Sequence, residues 1–165
     1  MPLLNNGDVF PKLTIPAVGG GAITLPDAFA GSWGVALIYR GAWCPFCNAQ
    51  LAGYAAEKEA LDGLGIKVAA LSVDDEATSA ATVAKNHLPF PVGHSANADA
   101  VAAATGAFLN ASPHYLQQAG FVIGPDGSVK AGVYATSAIG RMLAKDVVGF
   151  VGYLQSVAAK AAAAE

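Results

Sequence analysis

The sequence predicts an α/β domain in which a central mixed sheet is flanked by helices. A strand, a helix and a second strand follow one another between residues 34 and 73, and this order predicts a parallel crossover unit. Two further strands joined by a tight turn are predicted at 120–124 and 128–134. The length of 165 residues is typical of one compact domain, so we expect residues 1–165 to form a single domain.

The first part of the chain alternates short apolar segments with turn residues. Two short strands, paired as a hairpin, are expected within residues 8–25, where Pro and Gly separate the apolar segments. One helical turn is expected at 26–30, and the apolar run 34–39 predicts a buried central strand. A helix is then expected over 44–61 from its apolar spacing, followed by a second buried strand over 66–73.

The second half of the chain places helices before and after the late strands. An Ala-rich helix is expected from Asp74 to about Lys85, with acidic residues at its start, where the helix dipole favours them. A break is expected at 87–91 and a short helix at 97–105. The last periodic segment, 140–159, carries apolar residues on one face and is predicted to pack against the sheet.

Charge and hydropathy exclude several classes of function. The formal net charge is -3, so we expect no basic surface for phosphate groups and no nucleic-acid partner. No uninterrupted apolar run reaches the roughly 18 residues of a membrane span, so no membrane partner is expected. Residues 1–8 lack the basic start and apolar core of a signal peptide, which favours a cytoplasmic, reducing location.

The two cysteines of the chain both lie in the run Trp43-Cys44-Pro45-Phe46-Cys47, where the helix 44–61 is predicted to begin. A bridge between them would close too short a loop to stabilise the fold much, so their spacing indicates redox chemistry or metal binding. A helix N-terminus favours the thiolate form of Cys44. Cysteines at i and i+3 have Cα atoms roughly 5 to 6 Å apart, within reach of a disulfide, so Cys47 can resolve whatever Cys44 forms.

The other residues of this run have supporting roles. Pro45 suits the first helical turn, because that position needs no backbone N–H. Trp43 and Phe46 flank Cys44 with apolar surface that would shield the thiol and offer a docking surface to a partner protein. The alternative is that both aromatic side chains pack in the core.

A zinc site is the alternative to redox chemistry for a pair of cysteines at this spacing. Zinc would need two more ligands at a second knuckle or a His pair, and the three histidines stand singly in the sequence. We therefore expect a redox pair, with no metal and no cofactor. His87 and His94 are expected in loops, whereas His114 precedes the late strand and is a weaker candidate for approaching Cys44.

Several segments resemble the peroxiredoxin-like (AhpC/TSA, redoxin) branch of the thioredoxin-fold superfamily, particularly bacterial members with Trp-Cys-Pro-x-Cys at the active position. The matching segments are the opening 7–11, the strand 35–39 before the cysteines, the strand and turn 68–74, and the late strand and hairpin 120–127. The resemblance implies a thioredoxin-like fold with a peroxiredoxin-type N-terminal extension.

By this resemblance the protein is a thiol-dependent antioxidant oxidoreductase. Cys44 would attack a peroxide to give a sulfenic acid, and Cys47 would condense with it to an intramolecular disulfide. A thioredoxin-like or other thiol reductant would restore the dithiol, and the resemblance is compatible with a homodimer. Two alternatives stay open: a thiol-disulfide oxidoreductase of thioredoxin type that acts on disulfide substrates, and a non-enzymatic redox sensor or interaction module.

Two positions depart from the pattern of that family. Its members place Thr or Ser three residues before the active cysteine, where this chain has Gly41, and Arg before the late strand, where it has Gln118. Arg40 and Arg141 are candidate substitutes, because a guanidinium near Cys44 would favour the thiolate and hydrogen-bond a peroxide oxygen. The alternative places Arg40 at a solvated strand end and Arg141 on the surface of the last helix.

Overall fold

A five-stranded mixed sheet forms the centre of the computed structural model, which describes residues 3–165. In chain order the strands are β1 (Leu13–Pro16), β2 (Ala22–Leu25), β3 (Trp33–Ile38), β4 (Ile66–Leu71), β5 (Val92–Gly93), β6 (Leu109–Asn110), β7 (Tyr115–Leu116), β8 (Ala119–Ile123) and β9 (Val129–Tyr134). The helices are α1 (Pro45–Ala56), α2 (Lys58–Gly63), α3 (Glu76–Asn86), α4 (Ala98–Thr105) and α5 (Ala144–Ala163), with a 3-10 turn at Asp27–Phe29.

The strand order in the central sheet is β5-β4-β3-β8-β9. Strands β3, β4 and β5 run parallel, and β8 and β9 continue the sheet in antiparallel pairing. The predicted mixed sheet and its parallel crossover are therefore confirmed. The expected N-terminal hairpin is also present, as the antiparallel pair β1 and β2.

Side chains on the two faces of the sheet enter two separate cores. Along β3, Ala36 and Ile38 join a cluster with the β1–β2 hairpin and α4, whereas Val35 and Leu37 join a cluster with α1 and α5. This alternation follows from the two-residue period of a strand. Because both faces are covered, the sequence of β3 is a continuous apolar run.

Two helices begin or end where the sequence pattern did not predict it. The expected helix 44–61 is two helices, because the backbone of Glu57 (φ -93°, ψ 15°) separates α1 from α2. Apolar spacing continues through this break, so periodicity could not reveal it. The last helix begins at Ala144 rather than at residue 140 and continues to Ala163. The short strands β6 and β7 were not predicted.

One edge of the sheet gathers several chain segments. Ile38, at the carboxyl end of β3, pairs with Leu71 at the end of β4 and with Ala119 at the start of β8. Ala119 in turn pairs with Tyr134 at the end of β9. The segments that follow β3, β4 and β9, and the one that precedes β8, therefore all meet at this edge.

None of the helices within residues 3–165 has both the length and the apolar character that crossing a membrane requires.

Candidate functional site

Cys44 is the N-cap residue of α1, at the sheet edge just described. Its backbone is extended (φ -89°, ψ 111°), and its Sγ accepts a hydrogen bond from the backbone N–H of Cys47 at 3.3 Å. Pro45 occupies the first helical position, where the missing N–H costs nothing. The helix therefore presents a free N–H group and its positive dipole end to the Cys44 sulfur.

Both cysteines are reduced and lie inside the protein. Cys44 and Cys47 each have 0% exposed surface. The Cys47 sulfur also accepts a hydrogen bond from the backbone N–H of Arg40 at 3.3 Å. Backbone N–H groups from just after the end of β3 and from the first turn of α1 therefore both hold the cysteine sulfurs.

Arg141 contacts both sulfurs with a single nitrogen. Its Nη2 lies 3.4 Å from Cys44 Sγ and 3.2 Å from Cys47 Sγ, and its Nη1 donates to Gln50 Oε1 at 2.9 Å. Nε and the same Nη2 also donate to the backbone carbonyl of Ala138, at 3.2 and 3.0 Å. Arg141 is therefore a residue of the extended segment before α5 that faces the cysteines, not a surface residue of the last helix.

Arg40 approaches Cys44 from the other side. Its Nη1 lies 3.8 Å from Cys44 Sγ, and its Nη2 donates to the hydroxyl of Tyr115 at 3.0 Å. The guanidinium lies over the rings of Trp43 and Tyr115, at 4.7 and 5.4 Å from their centroids. Within residues 3–165, neither Arg40 nor Arg141 forms a salt bridge with a carboxylate, so both positive charges are directed at the sulfurs.

The segment that carries Arg141 is held by buried amide and hydroxyl groups. Gln118 Nε2 donates to the carbonyls of Ser137 and Ile139. On the other side, Gln50 Nε2 and the Tyr54 hydroxyl each donate to the carbonyl of Met142 at 2.9 Å. Gln118, which stands where relatives are expected to have Arg, thus does not touch the cysteines but holds the loop whose Arg141 does.

These contacts give the two thiols different acidities. Burial raises the pKa of Cys44, but hydrogen bonds from the thiol and backbone of Cys47, the charge of Arg141 and the contact with Arg40 outweigh it, so the pKa lies below that of an ordinary thiol. Burial and the hydrogen bond to Cys44 raise the pKa of Cys47. Cys44 is therefore the first of the pair to become a thiolate, and Cys47 keeps its proton.

Gly41 leaves room for the Trp43 ring. A Cβ atom at Gly41 would overlap the indole of Trp43 and lie 3.2 Å from a carboxylate oxygen of Asp74. That carboxylate also accepts a hydrogen bond from the backbone N–H of Ala42 at 2.8 Å. A side chain at position 41 would therefore displace Trp43, so the turn has no hydroxyl group where the family pattern has one.

The aromatic neighbours of Cys44 lie at the surface rather than in the core. Trp43 is 56% exposed and Phe46 is 49% exposed. Beside Phe46, a groove of about 510 Å³ runs between α1 and the start of α5, and its lining includes Arg141 and Leu143. Since Arg141 also touches both sulfurs, this groove ends next to the cysteine pair.

Three further residues of the site were not predicted from the sequence. Tyr115 lies against Arg40 and Trp43, whereas its neighbour His114 bonds to Asp99 instead of approaching Cys44. Asn48 donates to the carbonyls of Ala42 and Cys44 and so fixes the turn before α1. Gln50 was missed because a polar residue in an otherwise apolar helix face has no motif of its own.

Across residues 3–165, no group of three or more His, Cys, Asp or Glu side chains is placed to hold a metal ion.

Comparison with known proteins identifies a family model and several relatives. The model of the AhpC/TSA family matches residues 6–131. A protein of Methanothermobacter thermautotrophicus named peroxiredoxin is 29% identical over 147 residues, which cover 86% of this chain and 68% of that protein. A second protein named peroxiredoxin, from Treponema denticola, is 29% identical over 162 residues, covering 94% of this chain and 75% of that protein.

Solved structures share the fold at lower sequence identity. AhpC of Mycobacterium tuberculosis superposes with a TM-score of 0.80 at 21% identity, covering 94% of this chain and 95% of that one. A mutant of peroxiredoxin 6 of Arenicola marina gives a TM-score of 0.78 at 22% identity, covering 94% of this chain and 75% of that one. The thioredoxin-like fold class predicted from the sequence is thereby confirmed.

Proposed function

The chain belongs to the AhpC/TSA family of thioredoxin-fold oxidoreductases, and from this premise we propose that it is a thiol peroxidase whose reacting atom is the sulfur of Cys44. The observation that carries the proposal is the pair of guanidinium groups, from Arg40 and Arg141, directed at that sulfur. They stabilise the thiolate and can donate hydrogen bonds to a peroxide.

The proposed cycle has three balanced steps. The Cys44 thiolate attacks one peroxide oxygen, the O–O bond breaks, and with one proton the products are a Cys44 sulfenic acid and an alcohol or water. The Cys47 sulfur then loses its proton as it attacks the Cys44 sulfur; the S–O bond breaks, a disulfide forms, and the departing hydroxide leaves with that proton as water. Two thiols of a reductant exchange with this disulfide, becoming oxidised themselves while the Cys44 and Cys47 thiols are restored.

The burial of the pair favours a peroxide over a protein disulfide as the substrate that reacts with Cys44. Both cysteines have 0% exposed surface. A peroxide group spans two oxygen atoms and can enter after small movements of Trp43 and Phe46. A protein disulfide would have to bring one of its sulfurs within bonding distance of Cys44 with the attached chain close behind it, and this requires the first turn of α1 to move.

A thioredoxin-like protein or another thiol is the proposed reductant. The exposed rings of Trp43 and Phe46 flank the cysteines and offer an apolar contact surface once the first turn of α1 has opened. A cytoplasmic location is proposed together with this reductant, because the cycle consumes a continuous supply of thiols.

A homodimer is also proposed, and sedimentation of the reduced and oxidised protein tests it.

Single-turnover kinetics test the peroxidase proposal. The fully reduced chain, mixed with hydrogen peroxide or tert-butyl hydroperoxide, should consume about one equivalent of peroxide far faster than a free thiol does and form one intramolecular disulfide. Cys44→Ser should abolish this reaction. Cys47→Ser should still react once and should stop as a sulfenic acid, which a dimedone probe captures.

Three results would contradict the proposal. The first is peroxide consumption no faster than that of free cysteine. The second is insulin-disulfide reduction that is fast while peroxide reduction is slow, which would favour the thiol-disulfide oxidoreductase instead. Partner binding that is unchanged in Cys44→Ser and independent of redox state would favour an interaction module.

A further inference from the structure

We propose that Tyr115 is a further catalytic residue, whose hydroxyl donates a hydrogen bond to the leaving oxygen of the peroxide. The inference rests on the proposed peroxidase function and names a group for its bond-breaking step. Tyr115 belongs to β7, in the short hairpin that precedes β8 and reaches the same sheet edge as the cysteines.

A single guanidinium links the Tyr115 hydroxyl to the reacting sulfur. Arg40 donates from Nη2 to the Tyr115 hydroxyl at 3.0 Å, and its Nη1 lies 3.8 Å from Cys44 Sγ. The Tyr115 ring packs edge-on against Trp43, with the centroids 5.0 Å apart. Tyr115 is buried, so its hydroxyl is held against the same guanidinium that reaches the Cys44 sulfur.

The hydrogen of this hydroxyl is free to be donated. The bond with Arg40 uses the hydroxyl oxygen as an acceptor. Among the residues that the structure describes, no carbonyl or carboxylate accepts a hydrogen bond from this hydroxyl. A phenol that accepts from a guanidinium and donates to nothing is poised to donate to an oxygen that arrives between it and Cys44.

Breaking the O–O bond is assisted by a hydrogen-bond donor that faces the leaving oxygen. As the Cys44 sulfur attacks one peroxide oxygen, the other leaves with the electron pair of the O–O bond, and donors directed at that oxygen stabilise the transition state. Gly41 supplies no hydroxyl, and a side chain there would displace Trp43. The Tyr115 hydroxyl stabilises the leaving oxygen, which then takes its proton from solvent, so Tyr115 is unchanged at the end of the step.

Tyr115→Phe tests this role because it removes only the hydroxyl. We expect the rate constant for oxidation by tert-butyl hydroperoxide to fall by about 100- to 1000-fold, as for loss of one donor to a developing oxyanion. The rate of Cys44 alkylation by iodoacetamide and its pH midpoint should change much less, because alkylation breaks no O–O bond. Tyr153→Phe is the matched control, since Tyr153 is exposed on α5 and should react like the unmodified chain.

The nature of the leaving group separates donation to the peroxide from a structural role. With peracetic acid the leaving group is acetate, a weak base that needs little stabilisation, so Tyr115→Phe should lose much less rate than with tert-butyl hydroperoxide. Equal losses with both oxidants and in alkylation would overturn the proposal and assign Tyr115 to holding Arg40. An unchanged rate with a folded variant would also overturn it. Slow oxidation of the unmodified chain would instead contradict the peroxidase function itself.

Discussion

Arg141 is the residue that most clearly joins the two thiols, because one of its nitrogens lies within 3.4 Å of both sulfurs. Because this positive charge lies close to both sulfurs, it stabilises a thiolate on either of them. Each sulfur accepts one backbone N–H, so the difference comes from the hydrogen bond between the two thiols, which lowers the pKa of Cys44 and raises the pKa of Cys47. The acidity of the site therefore depends on a few contacts that can be removed one at a time.

The pH dependence of Cys44 reactivity follows from these contacts. In a Cys47→Ser background only one thiol titrates, and the serine hydroxyl can donate to the Cys44 sulfur as the Cys47 thiol does. We expect the alkylation rate to rise with pH and to level off, with a midpoint below the value of about 8.5 of an ordinary thiol. The rate rises because the thiolate is the reactive form and because the pKa of Cys44 is lowered.

Arg141→Met should move this midpoint to higher pH and lower the alkylation rate at neutral pH, because a smaller fraction of Cys44 is then thiolate. A tenfold lower rate corresponds to a pKa of Cys44 that is higher by about one. Arg40→Met is the comparison variant and should have the smaller effect, because its nearest nitrogen is 3.8 Å from the Cys44 sulfur. A midpoint unaffected by Arg141→Met would show that the charge of Arg141 does not contribute to the acidity of Cys44.

At the scale of elements, the segment between β9 and α5 is the part that sequence reasoning described least well. Its periodicity predicts a helix from residue 140, yet its carbonyls bind Gln118, Gln50 and Tyr54 side chains instead of helical N–H groups. Side-chain donors from distant parts of the chain leave no local pattern. Arg141 could be proposed from the sequence, but the loop that holds it could not.

The long strands of the central sheet and the cysteine pair were predictable because their signals are local in the sequence. The run that forms β3 is apolar because both faces of the sheet are covered, and Pro45 marks the start of α1 by its own fixed geometry. Tyr115 was missed because it belongs to a two-residue strand, and so short an element carries no periodic signal.

Gln118 provides a test at this scale. Gln118→Leu should free the 137–140 loop and Arg141 with it, so the pKa of Cys44 should rise and the rate at neutral pH should fall by roughly tenfold. Because the carbonyls of Ser137 and Ile139 lose their donor, the free energy of unfolding should also fall by about 0.5–1.5 kcal/mol.

Gln117→Leu is the matched control for this experiment. Gln117 is 6% exposed and Gln118 is 3% exposed, and the Gln117 side chain makes no hydrogen bond among the described residues. The control should leave the pH profile of Cys44 unchanged. Equal changes in the two variants would mean that repacking near β8, and not release of Arg141, alters the site.

At the scale of the whole molecule, the sheet assembles the site from segments far apart in sequence. The ends of β3, β4 and β9 and the start of β8 share one edge through the registers of Ile38, Leu71, Ala119 and Tyr134. The site residues lie next to these ends: Cys44 follows β3, Asp74 follows β4, Gln118 precedes β8 and Arg141 follows β9. The geometry of the site therefore depends on the fold being intact.

We expect the reduced chain to unfold in one cooperative transition, as a single domain does. Trp33 lies at the start of β3, and Trp43 lies beyond its other end, beside the cysteines. Trp33→Phe leaves Trp43 as the single fluorescent tryptophan, and Trp43→Phe leaves Trp33. In urea, the fluorescence midpoint of each variant should coincide with its own far-ultraviolet circular dichroism midpoint. Separate midpoints would contradict a single domain, and midpoints that rise with protein concentration would support a dimer.

The position of Trp43 has a practical consequence. Its indole lies 4.7 Å from the guanidinium of Arg40, which also faces the Cys44 sulfur. When the thiolate becomes a neutral sulfenic acid or disulfide, the charge balance around Arg40 changes, and the electric field at the indole changes with it. In a Trp33→Phe background, we therefore expect the emission of Trp43 to change with the oxidation state of the sulfur, so that oxidation can be followed without a label.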